Sequence, residues 1–424
     1  MAQLSDDCFA FGGPLISVDE VERLIAERIT PVGGIESVGL QQAGGRVLAA
    51  ELVAPVDLPP FPNSAVDGYA VRHADLRPDA PTRLHVIDRV TAGRPVSLRL
   101  ETATAVRIFT GAPMPSGADT VFMQEDCRVE GDFVIVPPGL SPGANRRLAG
   151  EDVKAGTQAL PAGQRLAPQH LALAAALGSR MLDVRARVRV GVFSTGDEIV
   201  EPGSRLPPAS LYDANRHLLG GMLGRLGAEV TDYGIVSDDE LRLTTAIKDA
   251  AAANDLVLTS GGVSTGEADL VREVVGRIGR LVFWRVAIKP GRPVIMGVLP
   301  GSDRSSNAAF VGLPGNPVAV FVTFARVVRP LLLRLSGAQA EPLVALPVRS
   351  NFAYRKKKGR REYVRVALRR AADGVLEADK FPQDGAGVVT SLTRTDGLAE
   401  LPEEVTDIPV GSTIGFLPYT ALIG

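Results

Sequence analysis

The stretch Thr259-Ser260-Gly261-Gly262-Val263-Ser264-Thr265-Gly266-Glu267-Ala268-Asp269 sets glycines and small hydroxyl residues directly before two carboxylates. Glycines let a backbone approach a ligand closely, and the unsatisfied N–H groups of a following helix turn favour an anion such as phosphate. Glu267 and Asp269 would repel a bare phosphate, so the chemistry indicated is a divalent cation shared between carboxylate and phosphate. Three more loops carry reactive residue types: Ser194-Thr195-Gly196-Asp197-Glu198, Lys289-Pro290-Gly291-Arg292-Pro293 and Gly312-Leu313-Pro314-Gly315-Asn316-Pro317. Each alone is an ordinary turn, but together they offer carboxylates in two loops and cations in a third. His73, His85, His170 and His217 lie outside them and no Ser/His/Asp order is present, so nucleophilic or zinc-hydrolase chemistry is poorly supported. The oxygen ligands suit magnesium.

The elements that must hold these loops follow from periodicity. Leu256-Val257-Leu258 is a short β-favouring run, and Leu270, Val274, Val275 and Ile278 repeat at helical spacing, which predicts strand, loop, helix around the first segment. The same alternation runs through strands at 188–193, 228–233, 281–288, 293–298 and 309–313 and helices at 214–226, 239–253 and 317–335. It predicts a parallel sheet with helices on both faces, whose ligands gather at the carboxyl ends of the strands. Upstream, Ser17 with Glu20 forms a capping-box pattern for a helix over 17–29. Short β-like runs at 83–90, 104–109, 120–124 and 133–136 predict a small β domain, after which helical texture returns at 168–177. From 343 onward residues alternate at a period of two, which predicts a β-barrel or sandwich.

The expected fold class is therefore multidomain α/β plus β. Its parts are a discontinuous helical N-terminal domain (1–53 and 147–185), an inserted small β domain (54–146), a three-layer α/β domain (186–336) and a C-terminal β-barrel-like domain (337–424). A chain of 424 residues with formal net charge −2 has no long-range field for nucleic acid or anionic membranes, so anion recognition must come from placed Lys and Arg. The basic run 355–361 reads as a solvated turn and not as an RNA-binding patch. Cys8 and Cys127 form no metal-binding pair, and no leader-like start or run of about 18 apolar residues is present, so a cytosolic protein with no membrane partner is expected.

Several motifs carry a resemblance. Segments 259–269, 193–198 and 312–317 resemble the molybdopterin-binding domain of molybdenum-cofactor biosynthesis proteins. Pro62-Asn63-Ser64-Ala65-Val66-Asp67-Gly68-Tyr69-Ala70, Arg107-Ile108-Phe109-Thr110-Gly111-Ala112 and Gly150-Glu151-Asp152 resemble the molybdenum-inserting branch, the MoeA family, whose eukaryotic relatives include the E domains of gephyrin and Cnx. The resemblance implies a transferase that takes molybdate and adenylylated molybdopterin, hydrolyses the adenylate with Mg2+, and releases molybdenum cofactor and AMP. It implies catalytic roles for Asp67, Thr110, Glu198, Asp238, Asp269 and Lys289, with Glu198 and Asp269 as metal ligands. Ser260, Gly261, Gly262, Val263 and Ser264 would cradle the pterin phosphate, with Pro314, Gly315 and Asn316 beside them; Arg147, Lys289 and Arg292 would hold phosphate or molybdate oxygens. Arg361 and Ser391 would complete the oxyanion pocket. By the same analogy the chain forms a homodimer in which Asp67 and Thr110 reach the partner's site, and it contacts other proteins of cofactor biosynthesis. Without the resemblance, Asp67 and Asp238 read as turn or cap residues. Two other functions fit the same motifs: adenylylation of molybdopterin, and a gephyrin-like scaffold that binds peptide segments.

Overall fold

The computed structural model describes residues 15–262, 270–291, 293–302 and 307–424, and the side chains of 282–285 lie outside that description. The chain opens with helix α1 (Val18–Arg28), where Ser17 Oγ accepts the Glu20 amide at 3.1 Å and so satisfies a first-turn donor. Its face of Val18, Val21, Leu24 and Ile25 packs into the core beneath the central sheet, and not with the helix α2 (Pro168–Ala176) into a separate helical body as expected. Four apolar residues on one stripe need a broad apolar partner, and that sheet layer supplies it.

A six-stranded sheet follows, made of β1 (Gly68–Val71), β2 (Thr82–Val90), β3 (Thr104–Ile108), β4 (Thr120–Met123), β5 (Arg128–Glu130) and β6 (Phe133–Val136) in the order β4-β1-β3-β2-β6-β5. It forms the small β unit. The chain returns through Ile35–Gly39 paired with Met181–Arg185 and Leu52–Val53 paired with Gln158–Leu160.

The central sheet contains β7 (Arg189–Thr195), β8 (Glu229–Val236), β9 (Leu256–Ser260), β10 (Arg280–Arg285), β12 (Pro293–Pro300) and β13 (Asn307–Leu313) in the order β8-β7-β9-β13-β12-β10. The two-residue strand β11 (Ile288–Lys289) leaves it for the C-terminal barrel. Helices α3 (Asn215–Arg225), α4 (Glu240–Ala253), α5 (Leu270–Ile278), α6 (Pro317–Thr323) and α7 (Arg329–Leu335) cover both faces, with a π-helical turn at Phe324–Val328 joining the last two. Successive strand residues point to opposite faces, so Leu256 and Leu258 join the core with α1, α3 and α7, while Val257 joins the one with α4 and α5.

The sheet is mixed and not wholly parallel as expected. Strands β7, β8, β9 and β13 pair in parallel, whereas β12 is antiparallel to both β13 and β10. The connections 286–292 and 301–306 are too short for a parallel crossover, which takes about a dozen residues. The strand expected over 281–288 accordingly breaks, its last residue opening β11.

The tail closes into a barrel of β14 (Leu346–Ser350), β15 (Arg361–Arg370), β16 (Leu376–Lys380), β17 (Gly397–Leu401) and β18 (Thr413–Pro418). Its order β15-β16-β14-β18-β17 returns to β15, and β11 adds to β15 in parallel. Among the described residues no helix is long and apolar enough to cross a membrane.

Candidate active site

Strand order reverses between β7 and β9, with β8 on one side and β13 on the other, and in such sheets a crevice opens at the carboxyl ends. Parallel register sets Ser194 beside Ser260 and Ser260 beside Leu313, so three of the four expected loops leave the sheet side by side. Asn215, the first residue of α3, ties two of them: its Nδ2 donates to Ser260 Oγ at 2.8 Å and to Gly315 O at 2.7 Å. Ser260 Oγ donates to Pro314 O at 3.3 Å. Sequence reasoning missed Asn215, whose only signal was a polar residue opening a helix that faces the strand ends.

The glycine pair is required by geometry. Gly261 has φ +94°, where a Cβ would sit 2.4 Å from Thr195 O, and Gly262 has φ +63°, where one would sit 2.5 Å from Val271 Cγ2. No L side chain fits, and the backbone is left bare at the crevice. Val263, Ser264, Glu267 and Asp269 lie outside the described residues, as does Arg292.

On the β7 side, Thr195 Oγ1 donates to Asp238 Oδ1 at 2.5 Å and the Asp238 amide donates to Asp197 Oδ1 at 3.1 Å, which locks the ends of β7 and β8 together. The helix cap is the neighbouring Asp239, whose Oδ1 accepts the Arg242 amide at 2.9 Å. Glu198 is exposed, and its carboxylate folds over Gly196, where a Cβ would lie 2.6 Å from Oε2. Among the described residues nothing hydrogen-bonds that carboxylate, and no group of three His, Cys, Asp or Glu could hold a metal by itself. One free carboxylate beside a phosphate cradle fits Mg2+, which takes few protein ligands and completes its shell with phosphate oxygens and water.

Lys289 lies at the junction with the barrel. Its Nζ donates to Glu362 Oε2 at 2.9 Å and to the Tyr354 hydroxyl at 3.3 Å, and with Arg355, Arg365 and Asp384 these residues line a pocket of about 450 Å³. Arg365 is only 7 % exposed and is held by neutral acceptors: Ser391 Oγ at 3.1 Å from Nε, and Gln383 O at 3.0 Å and Gly385 O at 3.1 Å from one terminal nitrogen. No carboxylate of the described residues pairs with it, and burial pulls its pKa below the usual arginine value. The loop that Arg365 holds also reaches the α/β unit, because the Val318 amide at the start of α6 donates to Ala386 O at 3.0 Å. Asn316, exposed at the cap position of α6, makes no side-chain cap bond. The pocket and the 312–317 loop are thus adjacent.

Arg361 is not in this pocket, contrary to the sequence expectation. Its guanidinium grips Asp19 of α1 with two bonds of 2.9 Å, and its Nε donates to Glu403 at 3.1 Å. Four residues of extended strand span about 13 Å, which separates Arg361 from the Ser391 that Arg365 reaches.

The remaining expected residues sit on the small β unit. Asp67 Oδ1 accepts the Thr110 amide at 2.8 Å and its hydroxyl at 2.7 Å, and these two bonds hold the Asp67 carboxyl below its ordinary pKa. Arg147 pairs with Glu151 at 2.6 Å on the surface. Among the described residues no hydrogen bond or ion pair joins Asp67, Thr110 or Arg147 to the strand-end loops within one chain.

Comparison with known proteins matches this layout along the chain. Family models match three consecutive regions: the MoeA N-terminal region (domain I and II) over 16–178, a probable molybdopterin binding domain over 191–334, and the MoeA C-terminal region (domain IV) over 347–419. A molybdopterin molybdenumtransferase of Haemophilus influenzae is 35% identical over 97% of this chain and 100% of its own length, and one from Nostoc is 36% identical over 95% and 93%. The crystal structure of a molybdopterin biosynthesis moeA protein from Pyrococcus horikoshii superposes with a TM-score of 0.79 at 30% identity, covering 96% of this chain and 100% of that one. With all three regions present in order and identity sustained along whole relatives, the chain belongs to the MoeA family.

Proposed function

We propose that this chain is a molybdopterin molybdenumtransferase: it takes molybdate and adenylylated molybdopterin, hydrolyses the adenylate, and releases molybdenum cofactor and AMP. The observation that carries the reading is the pairing of a bare-backbone phosphate cradle at Ser260-Gly261-Gly262 with a pocket holding Lys289 and a buried Arg365 that forms an ion pair with no carboxylate of the described residues. A buried guanidinium held by neutral acceptors favours an anion strongly, because its charge is desolvated and its donors are fixed. The cradle takes the pterin phosphate, and the Lys289 and Arg365 pocket takes molybdate.

Glu198 and Asp269 would hold Mg2+, which would supply charge neutralisation at the pyrophosphate. Asp238 keeps the β7 and β8 ends in register beside Glu198. Asp67 and Thr110 act across a homodimer, supplied by the partner's small β unit to the crevice. The enzyme works in the cytosol. Incubating the protein with adenylylated molybdopterin and Mg2+ tests the reading: AMP release and cofactor formation should both require molybdate. Adenylylated product formed instead from molybdopterin and ATP would replace it with adenylyl transfer.

A further inference from the structure

A carboxylate inside an oxyanion pocket works against the ligand, and Glu362 is such a carboxylate, buried to 1 % exposure. It sits on β15 directly beside Lys289 in the parallel pairing with β11, so the docking of the barrel on the α/β unit brings the two together. Glu362 Oε2 accepts from Lys289 Nζ at 2.9 Å and from the Tyr354 hydroxyl at 2.9 Å, while the same hydroxyl oxygen accepts from Lys289 at 3.3 Å. An ammonium has three donors and here two are spent, which leaves one N–H for a ligand in the pocket. Tyr354 spends its only proton on Glu362, so it braces the arrangement and does not compete for the ligand.

We infer that Glu362 is a positioning residue of the oxyanion site: with Tyr354 it holds the Lys289 ammonium as a fixed, charged donor to the bound tetrahedral anion. The inference rests on the molybdate reading of the pocket. The titratable and charged residues lining the pocket with Lys289 are Tyr354 and Arg355 from one short strand, Glu362, Tyr363 and Arg365 from β15, and Asp384 from the adjoining loop, with the Tyr363 hydroxyl turned to Glu400. Burial opposes the charge on Lys289, but Glu362 and Tyr354 more than offset it and the amine sits above the ordinary lysine value. Without the Glu362 charge, burial acts to deprotonate Lys289 against the support of Tyr354.

The test is calorimetric binding of molybdate alone to the full-length protein from about pH 7 to about pH 10, for wild type, Glu362→Gln and Glu362→Asp. Wild type should hold molybdate to high pH. Glu362→Gln should lose it about one pH unit or more earlier, and Glu362→Asp should restore the wild-type limb. Coincident alkaline limbs for wild type and a folded Glu362→Gln overturn the role of Glu362 and leave the molybdate pocket standing; absence of molybdate binding to wild type overturns both. Should Glu362→Gln fail to fold, Tyr354→Phe keeps the ion pair and removes one hold on the ammonium. It should weaken molybdate severalfold at neutral pH, and unchanged affinity would overturn the positioning.

Discussion

At the scale of residues, anion chemistry here depends on what neutralises each cation. Arg361 and Arg365 lie on one strand, yet Arg361 is engaged by Asp19 and Glu403 while Arg365, among the described residues, hydrogen-bonds to neutral acceptors. The glycine loop is equally exacting. Gly262→Ala places a Cβ against Val271 at a φ suited to glycine, and should destabilise the protein by about 1–3 kcal/mol while weakening phosphate binding. Denaturant unfolding would detect it; an unchanged midpoint would show that the loop relaxes freely. Cys127 is expected to stay inert at neutral pH, since burial pushes its thiol up to about 11. The glycines, Glu198 and Lys289 are candidates the sequence offers because residue type alone signals their chemistry. Arg365 was not, because nothing in a run of four arginines and three lysines over 355–365 says which one lies under the loop 383–387.

At the scale of elements, most strands and helices were legible because apolar periodicity and caps coincide. Ser17 is the clearest case, its hydroxyl capping α1 as the sequence pattern requires. Ser17→Ala should cost about 1 kcal/mol of stability without altering molybdate affinity, since no residue of α1 lines the pocket. A loss of affinity equal to the loss of stability would instead couple α1 to the site. The direction of β12 was misread because alternation of strand and helix was given more weight than the six and seven residues that connect it to its neighbours. The placement of α1 was missed for a different reason: an amphipathic stripe states that a helix must be covered, but not by which layer.

At the scale of the whole molecule, the chain spreads its candidate site residues over three units and joins two of them directly. The strand-end crevice and the barrel pocket meet through β11 on β15 and through Val318 on Ala386, whereas among the described residues no hydrogen bond or ion pair joins Asp67 or Thr110 of the small β unit to either. Arg361 serves this architecture by tying the barrel to α1, so Arg361 and Arg365 should separate cleanly in their effects. The most direct measurement is molybdate-dependent AMP release from adenylylated molybdopterin by wild type, Arg365→Ala and Arg361→Ala, with folding checked for each. Release should fall at least tenfold in Arg365→Ala, on the order of one lost charge-assisted contact, and persist in Arg361→Ala at a lowered melting temperature. Full activity in Arg365→Ala, with activity lost in a folded Arg361→Ala, would contradict the account.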